Sequence, residues 1–446
     1  MGEPLAGGEI AKGDDIQRDL TFCAMKCGAG PALRIPRVLH SENTLHCLWV
    51  VGLNEIRDGF TVRNVDLQRE RAGALSPRDV TLGRFSGLVF SATRTIEIER
   101  GRDLRRKYAV ILGNLRNTKD RFCPGYKENP PTIQMLAQAA GIPHVSGIEL
   151  VGDWDIRPAN VGEMRAALGD FGLECVSIIP DLFGNKVFSK GSFSSANAGV
   201  RQRALHQTRL MCDAAMELSC PLINLWPGQD GYDYLLSADY ESERAWLCES
   251  VAELAGLYPN LRFALEYKPK EPRTHSYLAR MADTLLLAQE TGAANVGVTI
   301  DTGHAFVGGE VVGESIVLAK RAGERLFHMH FNDNHVTTDD DMIVGSVHTV
   351  TYLETLYWLA RCSYDGWLSM DQYPYREDAT QAIGESILWL EAFGAILDVH
   401  RDEIDGLVRQ QDAIATSRFL RSVLLSPEGR VETVETKVPS GSFGES

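Results

Sequence analysis

From residue 107 onward, short apolar runs recur along the chain, at 108–112, 147–151, 175–179, 222–225, 263–265, 296–300, 326–330 and 367–370. Their starts are 28 to 47 residues apart. Stretches with helical periodicity lie between them, for example 245–257, 277–290 and 314–321. Short continuous apolar strands read as parallel and covered on both faces. Eight strand–helix alternations predict a (β/α)8 TIM barrel over 107–397. The alternative is an open, doubly wound sheet. That fold wants a Gly-rich loop after the first strand, and Gly113-Asn114-Leu115-Arg116 is not one.

The flanks follow other patterns. Residues 1–106 have two strand candidates, 45–53 and 88–98, separated by Arg-rich segments of weak periodicity. They carry 2 Lys and 14 Arg against 14 acidic residues, a net +2, so the whole acidic surplus lies beyond them. We read them as a weakly structured extension or small appended module, with no function attached. After a last barrel helix over 381–397, a second helical stretch near 403–425 and a polar tail make a C-terminal extension over 398–446. The tail is expected to be mobile.

Composition narrows the functions. The 446 residues, 44% apolar and 24% charged, exclude a wholly disordered or fibrous chain. A net charge of −15 repels phosphate backbones, so nucleic acid is not an expected partner. Nine cysteines without a CxxC pair suit a reduced, cytoplasmic setting rather than a disulfide framework. No membrane span and no signal peptide are expected.

Chemistry in such a barrel sits where the strands end. The fifth run ends Leu265-Glu266-Tyr267-Lys268, the sixth Ile300-Asp301-Thr302-Gly303-His304, the seventh His328-Met329-His330 and the eighth Met370-Asp371. Glu266, Asp301, His330 and Asp371 therefore end four adjacent strands, a set suited to a hard divalent cation. A lone carboxylate at a strand end is more often a cap, but four in register are not explained that way. His328 shares a face with His330 and lies one layer deeper, as a core histidine. The acidic run Asp339-Asp340-Asp341 follows the seventh strand; Asp339 and Asp341, with His304, form a candidate second cation site. Lys268 is placed to steady a developing alkoxide, or else to form a salt bridge with Asp301 or Glu266. Trp226, ahead of Gln229 and Asp230, offers an apolar wall for a sugar.

The segment LEYKPKEP (265–272), the Asp301-Thr-Gly-His304 turn, and His330-Phe-Asn-Asp333 followed by Asp339-Asp-Asp-Met-Ile-Val-Gly-Ser346 resemble the L-rhamnose isomerase and xylose isomerase families. More loosely, the chain is similar to the xylose-isomerase-like TIM-barrel superfamily with its ketose 3-epimerases. The resemblance covers 107–397 and is specific in the last four strands. It implies one cation on Glu266, Asp301, His330 and Asp371, and a second on His304 with Asp339 and Asp341. Lys268 matches the family's lysine. One extra residue before the acidic triplet leaves the choice among Asp339, Asp340 and Asp341 open. The implied function is a metal-dependent aldose–ketose isomerase of an unphosphorylated sugar, working by hydride shift. Its catalytic residues are then Glu266, Lys268, His304 and Asp339, and its substrate contacts Trp226, Lys268 and His304. Its cofactor is one or two divalent ions, Mn2+ first, with Mg2+, Co2+ or Zn2+ as alternatives. A homo-oligomer, dimer or tetramer, is expected. The rivals are a one-metal ketose epimerase or C-glycoside-cleaving enzyme, and a non-catalytic sugar-binding protein. Superfamily epimerases carry Glu at the eighth strand, where this chain has the shorter Asp371.

Overall fold

The computed structural model describes residues 104–119 and 122–425, and a few short strands nearer the N-terminus. The chain divides into two compact units, residues 1–99 and 100–446. In the first unit, Leu39–Ser41 pairs antiparallel with Thr44–His46, and Leu48–Trp49 with Phe90–Ser91. The remainder of the expected strands over 45–53 and 88–98, and the expected mobile tail over 427–446, lie outside the described residues.

The second unit contains a closed barrel of eight parallel strands. They are β1 (Tyr108–Ile111), β2 (Val145–Val151), β3 (Glu174–Ile179), β4 (Leu222–Leu225), β5 (Arg262–Glu266), β6 (Val296–Asp301), β7 (Leu326–Phe331) and β8 (Leu368–Met370). Each pairs with its sequence neighbours, and β8 closes on β1 through Leu368 opposite Tyr108 and Met370 opposite Val110. At least one helix follows each strand and shields its outer face. Each of the eight expected strands therefore exists, within a few residues of its expected bounds.

The main core lies between the strands' outer faces and the helices, and includes Tyr108, Met135, Ile148, Phe263, Val298 and Met329, all almost fully buried. The ring is also tied at its seam. Tyr108 Oη donates to Glu391 Oε1 at 2.7 Å. Arg106 pairs with Glu391 at 3.2 Å and with Asp398 at 3.1 Å. Both acids sit on the last barrel helix, in the segment Ala379–Gln410, so the first strand and that helix hold one another.

Two expectations need correction. The helical stretch expected over 403–425 is interrupted. The last barrel helix reaches a kink at His400 (φ −110°, ψ 16°), close to its expected end at 397, and the helix beyond the kink runs to Gln410. Chain reversal waits until Asp412, whose carboxylate accepts from Ile414 N and Ala415 N and caps Ala413–Leu424. Nor are the strands apolar on both faces. Their inner face carries a buried polar layer of Glu149, Ser177, Asn224, Thr299, His328 and Ser369. Because strand side chains alternate, one polar residue at one parity in six of the eight runs is enough to build that layer. Among the described residues, no helix is long and apolar enough to cross a membrane.

A chain limited to residues 100–446 should fold by itself, because strands, seam ion pairs and core all lie within it. Circular dichroism and a single cooperative melting transition check this; insoluble protein, or loss of the cooperative transition, counts against it.

Candidate active site

The barrel mouth has two unlike halves. On the β1–β3 side, Ile111, Val151 and Ile179 form a small apolar cluster packed against Trp154 and Phe183. Phe183 meets Trp154 edge-on at 5.8 Å and leans on Trp226 at 4.5 Å. On the β5–β8 side the strands end in acids and imidazoles. Between the two halves is a cavity of about 870 Å3, bordered by Trp226, Glu266, Lys268, His304, Asp341 and Asp371 among others.

Donor atoms of Glu266, Asp301, His330 and Asp371 all lie within 4.8 Å of one another. His330 Nδ1 is 3.3 Å from Asp371 Oδ2, 3.6 Å from Glu266 Oε1 and 3.9 Å from Asp301 Oδ2. A second group, Asp301, His304 and Asp339, adjoins the first through the shared Asp301. There His304 Nε2 is 3.0 Å from Asp339 Oδ2, and His304 Nδ1 is 3.3 Å from Glu266 Oε1.

Local structure sets each side chain. Asp301 ends β6 and is the N-cap of the short helix Thr302–Val307, its Oδ1 accepting from His304 N at 2.8 Å. That bond fixes where His304 begins. Asp301 Oδ2 accepts from Asn332 Nδ2 at 2.8 Å, and Glu266 Oε2 accepts from Asn224 Nδ2 at 2.7 Å. The acidic loop comes close because residue 303 is glycine. A Cβ there would lie 1.9 Å from Asn332 Oδ1 and 2.7 Å from Asp339 Oδ1.

The loop's own hydrogen bonds separate the three aspartates. Asp340 turns away from the cavity, accepting from His335 N at 3.0 Å and Thr338 Oγ1 at 2.7 Å. Asp339 and Asp341 border the cavity. Asp341 does so from a left-handed backbone (φ 49°), uncommon outside glycine although aspartate tolerates it better than most residues. Lys268 pairs with Asp339 at 2.8 Å and Glu271 at 3.8 Å, rather than with Asp301 or Glu266. Its ammonium is 5.4 Å from the centre of the Trp226 ring. Gln229 reaches the cavity, but Asp230 does not. It is fully buried under backbone amides of Ser192 and Ser194, a structural role.

Charge crowding shifts these groups strongly. Burial, with Asp339 and Asp371 nearby, raises Asp301 to about 7 despite His304. Burial alone would lower His304, yet Asp301 and Asp339 lift it to about 9. Lys268 is likewise held above its ordinary value against burial by Asp339 and Asp341. Burial, then Asp339 and Asp371, push Asp341 well above the carboxylate range. Three atoms facing the cluster are buried without a hydrogen-bond partner: His304 Nδ1, His330 Nδ1 and Asp371 Oδ1. Unpartnered buried polar atoms among crowded carboxylates fit a bound divalent cation.

Sequence reasoning missed Glu149. It lies on β2, fully buried, within reach of His328 and His330. Burial would raise its carboxyl, but the two imidazoles hold it well below the usual range. The available signal was a lone glutamate inside an otherwise apolar strand, at the parity facing the barrel interior.

Residues 136–393 match the profile of the xylose isomerase-like TIM barrel family. The chain belongs to that family. A xylose isomerase of Thermus thermophilus is 25% identical over 229 residues, 50% of this chain. The match spans 59% of that relative's length. Among solved structures, a D-tagatose 3-epimerase-like protein superposes with a TM-score of 0.52 at 18% identity, covering 65% of this chain and 99% of the other. An L-ribulose 3-epimerase gives 0.51 at 16%, covering 66% and 98%. At such identities the structural likenesses establish the fold alone.

The crowding generates a pH-dependent prediction for the metal-free protein. A carboxyl whose folded pKa is raised costs stability that grows as pH rises from its unfolded value, about 3.9, through the folded one. Asp341→Asn removes that cost. With chelator present, it should melt at least about 2–4 °C higher than the parent near pH 8, the shift expected for roughly 1 kcal/mol in a large domain. The difference should vanish below about pH 4, where the parent carboxyl is protonated in both states. A pH-independent gain, or a loss at pH 8, would contradict the crowding account.

Proposed function

We propose that this chain is a divalent-metal-dependent aldose–ketose isomerase of an unphosphorylated sugar, moving hydride between C2 and C1. The observation that carries the proposal is the pair of acid–imidazole groups sharing Asp301. In this reading Glu266, Asp301, His330 and Asp371 hold one cation. His304, Asp339 and Asp341, next to Glu266, hold a second. Oxygen donors with imidazole suit Mn2+, and also Mg2+, Co2+ or Zn2+. When bound, such cations polarise the two oxygens of a hydroxy-carbonyl unit.

The chain's own residues supply the remainder. Lys268, kept cationic by Asp339, is positioned to donate to negative charge developing at O1. His304, anchored at its backbone by Asp301 and at Nε2 by Asp339, presents its remaining edge to the cluster. Trp226 and Phe183 give the sugar's carbon chain an apolar face that keeps water from the migrating hydrogen. Asp371 is shorter than the glutamate expected of a proton-abstracting epimerase. We also infer a cytoplasmic homo-oligomer. The described cysteines form no disulfide, and Tyr234, Leu235 and Leu236, in the loop after β4, are exposed enough to meet a second copy.

Metal content of the purified protein, followed by a screen of aldoses and ketoses with and without Mn2+, Co2+ or Mg2+, tests the proposal. Glu266→Gln should keep the fold, weaken cation binding at least about tenfold and remove turnover; unchanged turnover would take Glu266 out of the mechanism. In deuterated water, a hydride shift should leave little carbon-bound deuterium in the product, as read by mass spectrometry. Stoichiometric incorporation at the reacting carbon would replace the isomerase with the one-metal epimerase or C-glycoside-cleaving alternative, which abstracts a proton with a carboxylate.

A further inference from the structure

Below the acid cluster, Glu149 bridges the two barrel histidines. His328 Nε2 donates to Glu149 Oε1 at 2.9 Å, and His330 Nε2 to Glu149 Oε2 at 3.3 Å. Ser177 and Ser369 each donate a hydroxyl hydrogen to the same carboxylate. All five residues are essentially without solvent exposure. The imidazole rings of His328 and His330 stand edge to face, 5.0 Å apart.

An ionised carboxylate only accepts hydrogen bonds and has about four lone-pair directions. Four donors fill them here. Both imidazoles must therefore carry a proton on Nε2. For His330 the consequence falls on the other side of the ring, since Nδ1 faces Glu266, Asp301 and Asp371 with no hydrogen bond of its own. The hydrogen bond made by one imidazole nitrogen selects which nitrogen is free to bind a metal.

We infer that Glu149 is a positioning residue, which locks His330 with the Nδ1 lone pair turned to the cation site and uses His328 as a brace holding the carboxylate in place. This inference rests on the cation assignment of the proposed function, but not on isomerase rather than epimerase chemistry. Glu149, His328 and His330 are also close enough to hold an ion themselves. A cation there would have to displace two serine hydroxyls and two ring protons, so the hydrogen-bonded clamp is the better account.

Glu149→Gln is the informative substitution. Its amide oxygen can accept from one imidazole, but its NH2 group confronts the other, and the ring it meets must move its proton to Nδ1. Calorimetric titration of the metal-free full-length protein with Mn2+ alone should show affinity reduced about 10- to 100-fold, as for other partners of ligating histidines. The circular dichroism spectrum should be unchanged. Equal affinity in a folded variant overturns the inference and leaves the functional reading intact; a parent that takes up no Mn2+ overturns both. Should the variant fail to fold, the parent decides alone. With 15N-labelled histidine and Cd2+ loaded, His330 should show a solvent-protected proton on Nε2 and a metal-bound Nδ1. A proton on Nδ1, or a cation ligated by Glu149, would refute the clamp.

Discussion

Moving a carboxylate out of water costs several kcal/mol unless partners replace its hydration. The mouth of this barrel gathers Glu266, Asp301, Asp339 and Asp371 from the ends of β5 and β6, the loop after β7 and the end of β8. Nearly every neighbouring choice answers that constraint. Asn224 and Asn332 each give an amide hydrogen to an acid. Lys268 and His304 converge on one oxygen of Asp339. The surplus that remains, visible in the raised Asp301, Asp341 and Asp371 carboxyls, is what divalent cations would neutralise. A scaffold that only had to be stable would not collect these acids, because apolar side chains of similar volume would serve at least as well.

The same constraint explains the division of the cavity. Aliphatic residues at the ends of β1, β2 and β3 lower the local polarity opposite the acids. Electrostatic attraction inside a dry cleft exceeds that in water, so the apolar half strengthens whatever the polar half binds. The aromatic series Trp154, Phe183 and Trp226 continues that wall to the edge of Lys268. A polyhydroxylated ligand with a carbon face and an oxygen face suits such a two-sided cleft.

Much of this was legible in the residues. Eight short apolar runs with helical intervals specify a closed parallel barrel, because few other arrangements cover every strand on both sides. Position at the strand ends was enough to pick out Glu266, Asp301, His330 and Asp371. What the runs concealed was parity. Glu149, Ser177 and Asn224 each interrupt an apolar run only once, and a reading of average hydrophobicity passes over them. The partners of the loop acids were hidden for a different reason. Whether Asp340 or Asp341 faces the cavity depends on Thr338 and His335 capturing Asp340, a set of bonds between residues two to five apart whose geometry only the folded loop fixes.

Asp301 serves two masters, and the arrangement bears on how this fold would age under mutation. One of its oxygens starts a helix, and the other sits among the acids. Loss of a helix cap costs about 1 kcal/mol whether or not anything binds above it. Glu266 and Asp371 do no such structural service. In a descendant freed from selection for chemistry, Glu266 and Asp371 would drift first, while Asp301 would persist as architecture. A retained aspartate at the end of β6 is therefore poor testimony that a related barrel still works, and the acids ending β5 and β8 are the better witnesses.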